Sequence, residues 1–423
     1  MKMLRVVCSA LAGNALEFYD LTVYGIFAST IRQNFFPQQN KLVGIISVFA
    51  IFFFGYLARP LGAVFFGQVG DNYGRKPALL ISVVLMALST SAIGLLPDYH
   101  MIGVWAPMLL LFIRLLQGFS CGGEFTGSII FVVEHASPTN RGFYGSIGMI
   151  GFAAGLLMAS LVGWLVHHNF SELQVTHWAW RLPFFLALLG GLVSYFVRRH
   201  VNETELFLEM PRLPNTYSSL FRNYTRQVRP TVLMVFIKLF ASVTTYLFYI
   251  YMVTYMTNRL GYTESQALSI NIVSLILLVF LEPWMGKLSD HFGRRPLMAF
   301  TIIGSVLWVW PYFWLLQQHD FLMALLAQMV MTVFLSAYLG FVIVIMVEIV
   351  PVQTRFTVVS LAYSVESSLF SGTTPLIAAL LINMTHSSFS LVFYVWGCAL
   401  ISAIALYLVE ETKHVPQADE SPF

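Results

Sequence analysis

Twelve apolar runs, each of helix length, occupy nearly the whole chain: residues 5–31, 42–66, 77–96, 103–133, 142–167, 181–199, 229–257, 265–288, 296–317, 321–349, 356–383 and 388–410. A hydrocarbon core of about 30 Å takes about 20 residues of helix. The pattern therefore predicts an all-α integral membrane protein with twelve transmembrane helices. Charge content agrees. Only 10% of the 423 residues are charged and 58% are hydrophobic, whereas a soluble domain carries roughly 25% charged residues to face water. The 37 Phe, 19 Tyr and 9 Trp suit a chain with two membrane interfaces. A net charge of +3 gives no sign of a nucleic-acid partner. Cys8, Cys121 and Cys398 stand far apart in apolar stretches, where they read as packing residues. The basic start MKMLR resembles a signal peptide, but Glu17 and Asp20 interrupt the apolar region behind it. A cleaved signal needs an unbroken apolar segment, so this run reads as an uncleaved first helix.

Orientation follows from Lys and Arg, which favour cytoplasmic loops. With both termini cytoplasmic, 16 of the 23 basic residues fall on that side. Arg32, Lys41, Arg181 and Arg259 fall outside, and Arg59, Arg114 and Lys238 fall within the membrane. The longest polar stretch divides the chain into an N-terminal six-helix bundle (1–200), a cytoplasmic loop (201–228), a C-terminal six-helix bundle (229–412) and a short cytoplasmic tail (413–423). The halves repeat each other. GQVGDNYGRK, carrying Asp71 and Arg75, follows the second run, and GKLSDHFGRR, carrying Asp290 and Arg294, follows the eighth. Both read G-x-x-x-D-x-x-G-R-[KR], at an offset of 219 residues. Glu134 and Arg141 follow the fourth run, and Glu348 and Arg355 follow the tenth, at an offset of 214. Six helices return a chain to the side it left, so the duplication is parallel.

These residues resemble the major facilitator superfamily, whose halves are parallel repeats around a midplane site. Within it the chain is similar to the metabolite:H+ symporter group, which includes bacterial proline/betaine, α-ketoglutarate, citrate and shikimate permeases. The matching stretches are GNALEFYD (13–20), YLARPLGAVFFGQVGDNYGRK (56–76), RLLQGFSCGGE (114–124), WRLPFF (180–185), MGKLSDHFGRRP (285–296) and SGTTPLIAALL (371–381). The resemblance implies a proton-driven carrier in the bacterial inner membrane that works as a monomer on a small molecule and protons, with no cofactor, no metal and no enzymatic activity. Osmosensing members of that group carry a long cytoplasmic coiled-coil tail, whereas this sequence runs only about a dozen residues past its last apolar run, an expectation against osmotic gating by that device. The Pro-Gly signature of drug:proton antiporters is missing from the fifth run, which favours symport over export.

An ionisable side chain at membrane depth costs at least ~2.5–3.5 kcal/mol and marks a functional candidate. Glu17, Asp20, Arg59, Arg114, Glu124, Lys238, Glu282 and Glu366 qualify. At about 1.5 Å per residue, Glu17, Asp20, Arg59 and Arg114 all lie near mid-membrane in one half. An Arg grips a carboxylate through two parallel N–H bonds, and a carboxylate beside it can exchange a proton. The expectation is that Asp20 or Glu17 carries the proton, that Arg114 and Arg59 hold the substrate carboxylate, and that Glu124 and Glu366 assist in proton coupling. The same groups would also serve as an ion-pair lattice fixing three helices together. Lys238 suits an anionic substrate, or can reach toward the cytoplasm; Glu366 can neutralise it. Glu282, beside Pro283, reads as structural. Tyr246, Phe248, Tyr249, Tyr251 and Tyr255 can line a pocket, with Tyr249 the choice for substrate, and a cage of rings would suit a betaine. Asp71, Arg75, Glu134, Arg141, Asp290, Arg294, Glu348 and Arg355 read as a cytoplasmic gate, with Asp71 and Asp290 facing the N-termini of the third and ninth helices. No HExxH or CxxC spacing and no nucleophile–base spacing is present, and the His residues cluster at loops. The expected function is proton-coupled symport of a carboxylate-bearing metabolite, either a di- or tricarboxylate such as α-ketoglutarate or citrate, or proline or betaine. An exporter or facilitator on the same scaffold and a non-transporting sensor are the alternatives.

Overall fold

A computed structural model describes residues 2–37, 40–73, 75–137, 139–199, 227–350 and 355–413. Nearly all of the expected inter-bundle loop and all of the tail past Lys413 lie outside the described residues. Every regular element among the described residues is a helix. Eleven are long and apolar enough to cross a membrane: α2 (Leu42–Phe66), α3 (Lys76–Leu95), α4 (Trp105–Ile130), α5 (Arg141–Asn169), α6 (Ala179–Val197), α7 (Val228–Arg259), α8 (Glu264–Phe292), α9 (Arg294–Leu316), α10 (Phe321–Ile349), α11 (Val358–Thr385) and α12 (Ser390–Leu408). The twelfth is α1 (Lys2–Ile26), whose Lys2, Arg5, Glu17 and Asp20 dilute its apolar content. We call the side bearing the Asp-Gly-Arg turns the turn face.

At the other face, side chains satisfy the first orphan N–H groups of three helices, α2, α8 and α10. Asn40 accepts from Leu42 N at 3.0 Å ahead of α2, and Asp320 accepts from Met323 N at 2.9 Å in α10. Thr263 and Gln266 form a reciprocal capping box at α8.

Lipid tails give helices no hydrophobic reason to associate, so close packing must hold them. A Cβ at Gly155 of α5 would stand 2.5 Å from Ala15 O of α1. One at Gly118 of α4 would stand 1.7 Å from Gly55 O of α2. Only glycine allows these backbones to touch.

Several helices are irregular at depth, which a membrane tolerates only inside protein. The α-helical path of α4 breaks between Ser120 and Glu124, and that of α10 between Leu339 and Val342. Cys121 and Gly340, at these breaks, are 219 residues apart, the offset of Asp71 and Asp290. Two further segments, Tyr246–Tyr251 in α7 and Ser367–Ser371 in α11, are π-helical, a geometry frequent at functional sites.

The halves meet through buried hydrogen bonds along their whole height. Asn258 Nδ2 donates to Ser29 Oγ at 2.9 Å near the face opposite the turns. At depth the Tyr56 and Tyr246 hydroxyls bond each other, and Thr126 bonds Ser360 at 2.8 Å. At the turn face, Gly142 N and Phe143 N donate to the Asp290 carboxylate at 2.8 and 2.9 Å. These bonds join the halves at both faces and at depth.

Candidate substrate and proton site

Seven ionisable side chains expected to carry chemistry are buried at the centre: Glu17, Asp20, Arg59, Arg114, Glu124, Lys238 and Glu366. They do not form one pocket of shared charge. The structure sorts them into pairs and a relay.

Arg59, at the start of the second segment of α2, forms a salt bridge with Glu17 of α1. Lys238 of α7 forms one with Glu366 of α11 and also donates to Ser242 Oγ at 2.6 Å. Lys238 is buried and does not reach for the surface. The Tyr363 ring lies between the pairs, with Arg59 Cζ at 5.8 Å and Lys238 Nζ at 4.3 Å from its centroid. A cation over a ring face is attracted by the ring quadrupole, so one tyrosine joins the two halves electrostatically. Tyr56 adds a second ring face under Arg59 at 5.0 Å.

Asp20 and Arg114 are linked through neutral groups. Thr90 Oγ1 donates to Asp20 Oδ2 at 2.9 Å, Gln117 Nε2 donates to Thr90 Oγ1 at 2.6 Å, and Arg114 donates to Gln117 Oε1. Among the described residues Arg114 has no acidic partner, and its Nε and Nη2 donate to no protein group. Its guanidinium lies over Tyr24 at 4.3 Å and Phe52 at 5.1 Å. Asp20 Oδ1 likewise has no protein donor. A buried fork with open donors beside a buried carboxylate with an open oxygen is the arrangement that binds an anion and a proton.

Glu124 opens the second segment of α4, and its Oε2 accepts from Ser82 Oγ at 2.7 Å. Tyr249 stands elsewhere. Its hydroxyl donates to Thr332 Oγ1 at 2.9 Å and its carbonyl accepts from Asn271, because the π-helical turn sends Tyr246, not Tyr249, to the charged groups. Phe248 packs edge-on against Tyr312, and Tyr255 lies edge-on to Phe313. The rings beside the charged groups are Tyr24, Phe52, Tyr56, Tyr246 and Tyr363, of which Tyr246 alone is among those expected. Toward the face opposite the turns, a cleft of about 120 Å³ is lined by Leu42, Ile45, Tyr251, Asn258 and Arg259 among others. Among the described residues no cluster of His, Cys, Asp and Glu can hold a metal ion.

The gate residues divide in the same way. Side chains of Asp71, Arg75 and Glu134 lie outside what the structure describes. Arg294 of α9 bonds Asp290 at 2.8 Å and Glu348 at 3.1 Å, and Arg355 Nε donates to Val350 O at 3.1 Å. Asp290 does not cap α9. It lies inside α8 and caps α5 across the bundle interface, where a carboxylate meets the positive end of that helix. The first N–H groups of α9, on Arg294 and Arg295, donate instead to Glu411 at 2.8 and 3.0 Å. Arg141, first residue of α5, is buried beside this junction.

Comparison with known proteins fixes the family. The model for the Major Facilitator Superfamily matches residues 10–368 and again 234–422. This chain belongs to that superfamily. The chain is 35% identical over 434 residues to the glycine betaine/proline/ectoine/pipecolic acid transporter OusA of Dickeya dadantii, covering 100% of itself and 86% of that protein. It is 33% identical over 437 residues to the proline/betaine transporter of Escherichia coli, with the same coverage. The citrate-proton symporter of Salmonella typhi is 30% identical over 408 residues, 95% of this chain and 93% of the relative. Among solved structures, the xylose transporter XylE from E. coli superposes with TM-score 0.75 at 17% identity, covering 97% of this chain and 98% of that one. That likeness bears on the fold alone. The chain shares the superfamily's all-helical fold, and the protein is a multi-pass membrane transporter, not an enzyme.

Sequence reasoning missed Thr90, Gln117, Tyr56 and Tyr363 as members of the site. Three carried a signal. Gln117 lies three residues after Arg114, Tyr56 three before Arg59, and Tyr363 three before Glu366. Residues three apart on a helix are neighbours.

Proposed function

We propose that this transporter is a proton-coupled symporter of small zwitterionic carboxylates, the chemical class of proline and betaines, with Arg114 as the carboxylate site and Asp20 as the proton site. One observation carries the reading. Among the described residues, three buried cations lie at the centre; Arg59 and Lys238 already hold carboxylates, and Arg114 holds none. One open guanidinium matches one carboxylate. A citrate would bring further negative charge into a centre where Glu17, Asp20, Glu124 and Glu366 already supply four carboxyl groups. The ring faces of Tyr24 and Phe52 beside Arg114, with Tyr56, Tyr246 and Tyr363 nearby, offer attraction for an ammonium group. The names of the relatives at 33–35% identity point the same way.

Coupling follows from the relay. An ionised Asp20 has Arg114 as its nearest open counter-charge, through Thr90 and Gln117. When a substrate carboxylate takes Arg114, that counter-charge is spent, so substrate and proton bind best together. By linkage the favour is reciprocal. With the turn face in the cytoplasm, as the basic residues indicate, the Asp290–α5 contact closes the inner side while the substrate loads from outside.

Purified protein in proteoliposomes with an alkaline interior tests this. Proline or glycine betaine should accumulate until a protonophore is added, and citrate should not compete. Uptake of citrate alone would overturn the substrate class. Zwitterion uptake indifferent to the pH gradient would overturn the coupling.

A further inference from the structure

Glu282 of α8 belongs to none of the pairs above. It is fully buried, and among the described residues neither carboxylate oxygen accepts a hydrogen bond. Among the described residues it makes no ion pair. The titratable group facing it from α7 is the Tyr249 phenol. Among the described residues, the charged groups farther along α8, α9 and α10, Asp290, Arg294 and Glu348, are bonded to one another and not to it.

The surroundings are a mechanical junction. Pro283 follows it inside α8 and can offer no N–H to the helix, a position where helices bend. Across from it, α10 breaks at Gly340, where a Cβ would stand 3.0 Å from Glu282 O. From this contact α8 runs eight residues to Asp290 and α10 runs eight residues to Glu348. Arg294 holds both of those carboxylates at the turn face. Each arm is about 12 Å long at 1.5 Å per residue.

An ionised carboxylate sealed without a partner costs several kcal/mol after relaxation, and the group takes up a proton instead. We propose that Glu282 is a second proton-binding site of the transport cycle. It is neutral while α8 and α10 are closed on it, and it loses its proton when their separation admits water. Ionisation then opposes reclosure of the arms that end in the Arg294 latch, so the C-terminal half senses the proton as well as the N-terminal half. This rests on the reading of the chain as proton-coupled; loss of gradient-driven uptake in the unaltered protein would sink that reading, whereas the comparison of variants below addresses Glu282 alone.

The test sets Glu282→Gln beside Glu282→Asp. Gln keeps the volume and cannot ionise; Asp keeps the acid and leaves a small void. If Glu282 cycles a proton, E282Q should lose roughly tenfold in limiting accumulation per pH unit of gradient, the factor one proton contributes, while substrate counterflow persists. E282D should retain the wild-type proton-to-substrate ratio. Infrared difference spectra of detergent-purified protein supply a readout independent of transport: a carboxylic-acid C=O band at neutral pH in wild type and E282D, missing from E282Q. A packing role reverses the order, with E282Q equal to wild type in coupling and E282D impaired. That order, or no band lost from E282Q, would overturn the proposal.

Discussion

The two bundles share one architecture and use it differently. Both carry the G-x-x-x-D-x-x-G-R-[KR] turn and a broken helix at the same offset. In the N-terminal bundle the polar groups at depth are open: Arg114 and Asp20 each keep unbonded atoms at the centre. In the C-terminal bundle most are bonded, with Glu282 and one oxygen of Glu366 among the exceptions. Lys238 holds Glu366, Tyr249 holds Thr332, and Gln328 bonds both Tyr312 and the Phe248 carbonyl at 2.7 and 3.0 Å. Duplication gave two equivalent frames, and the open donors of a guanidinium without a carboxylate partner lie in only one of them among the described residues.

The largest effect is expected from Arg114→Met. Removing the partner of a buried carboxylate costs about 2–5 kcal/mol, so calorimetric binding of substrate should disappear from the measurable range while the protein stays folded. Unchanged binding would move the site to the C-terminal bundle. Next comes the Lys238–Glu366 pair. Breaking a buried pair from one side costs about 3–5 kcal/mol, so Glu366→Gln should lower the thermal midpoint sharply. Adding Lys238→Met should restore most of it, with zwitterion uptake retained in the double variant. Loss of uptake in a stable double variant would make this pair part of the site. Asp290→Asn should be milder. A charge at a helix N-terminus is worth about 0.3–2 kcal/mol, and its loss should speed maleimide labelling of a cysteine placed at Ser146, where α5 crosses Gly286. Labelling at the wild-type rate would remove Asp290 from the latch. Smallest is Tyr249→Phe, which deletes one neutral hydrogen bond worth about 1 kcal/mol. Stability should fall slightly and KM should not move.

Most of the frame was legible in the sequence, because twelve apolar runs and one parallel repeat leave few arrangements open. The buried charges were legible too, since membrane depth makes each one conspicuous. Their partners were not. Sequence shows that Arg59 and Arg114 lie at similar depth in the same half, yet helix rotation decides that Arg59 meets Glu17 while Arg114 meets Gln117. Neutral members such as Thr90 look like any other polar residue in a helix until geometry puts them between two charges. Tyr249 misled because the π-helical turn in α7 shifts which face its aromatics present. Asp290 misled because the nearest helix end in sequence, α9, is not the one its carboxylate reaches. Glu282 stood beside a proline, which reads as a kink; only the structure shows that nothing among the described residues pairs with it.

The direct test of the account separates movement from accumulation in Asp20→Asn. The carrier should still exchange labelled for unlabelled substrate across a liposome membrane, because Arg114 still binds and the helices still rock. Accumulation driven by a pH gradient should vanish, because no proton is handed across. If Asp20→Asn protein concentrates substrate as the wild type does, Asp20 is not the proton site and the relay to Arg114 is only a strut.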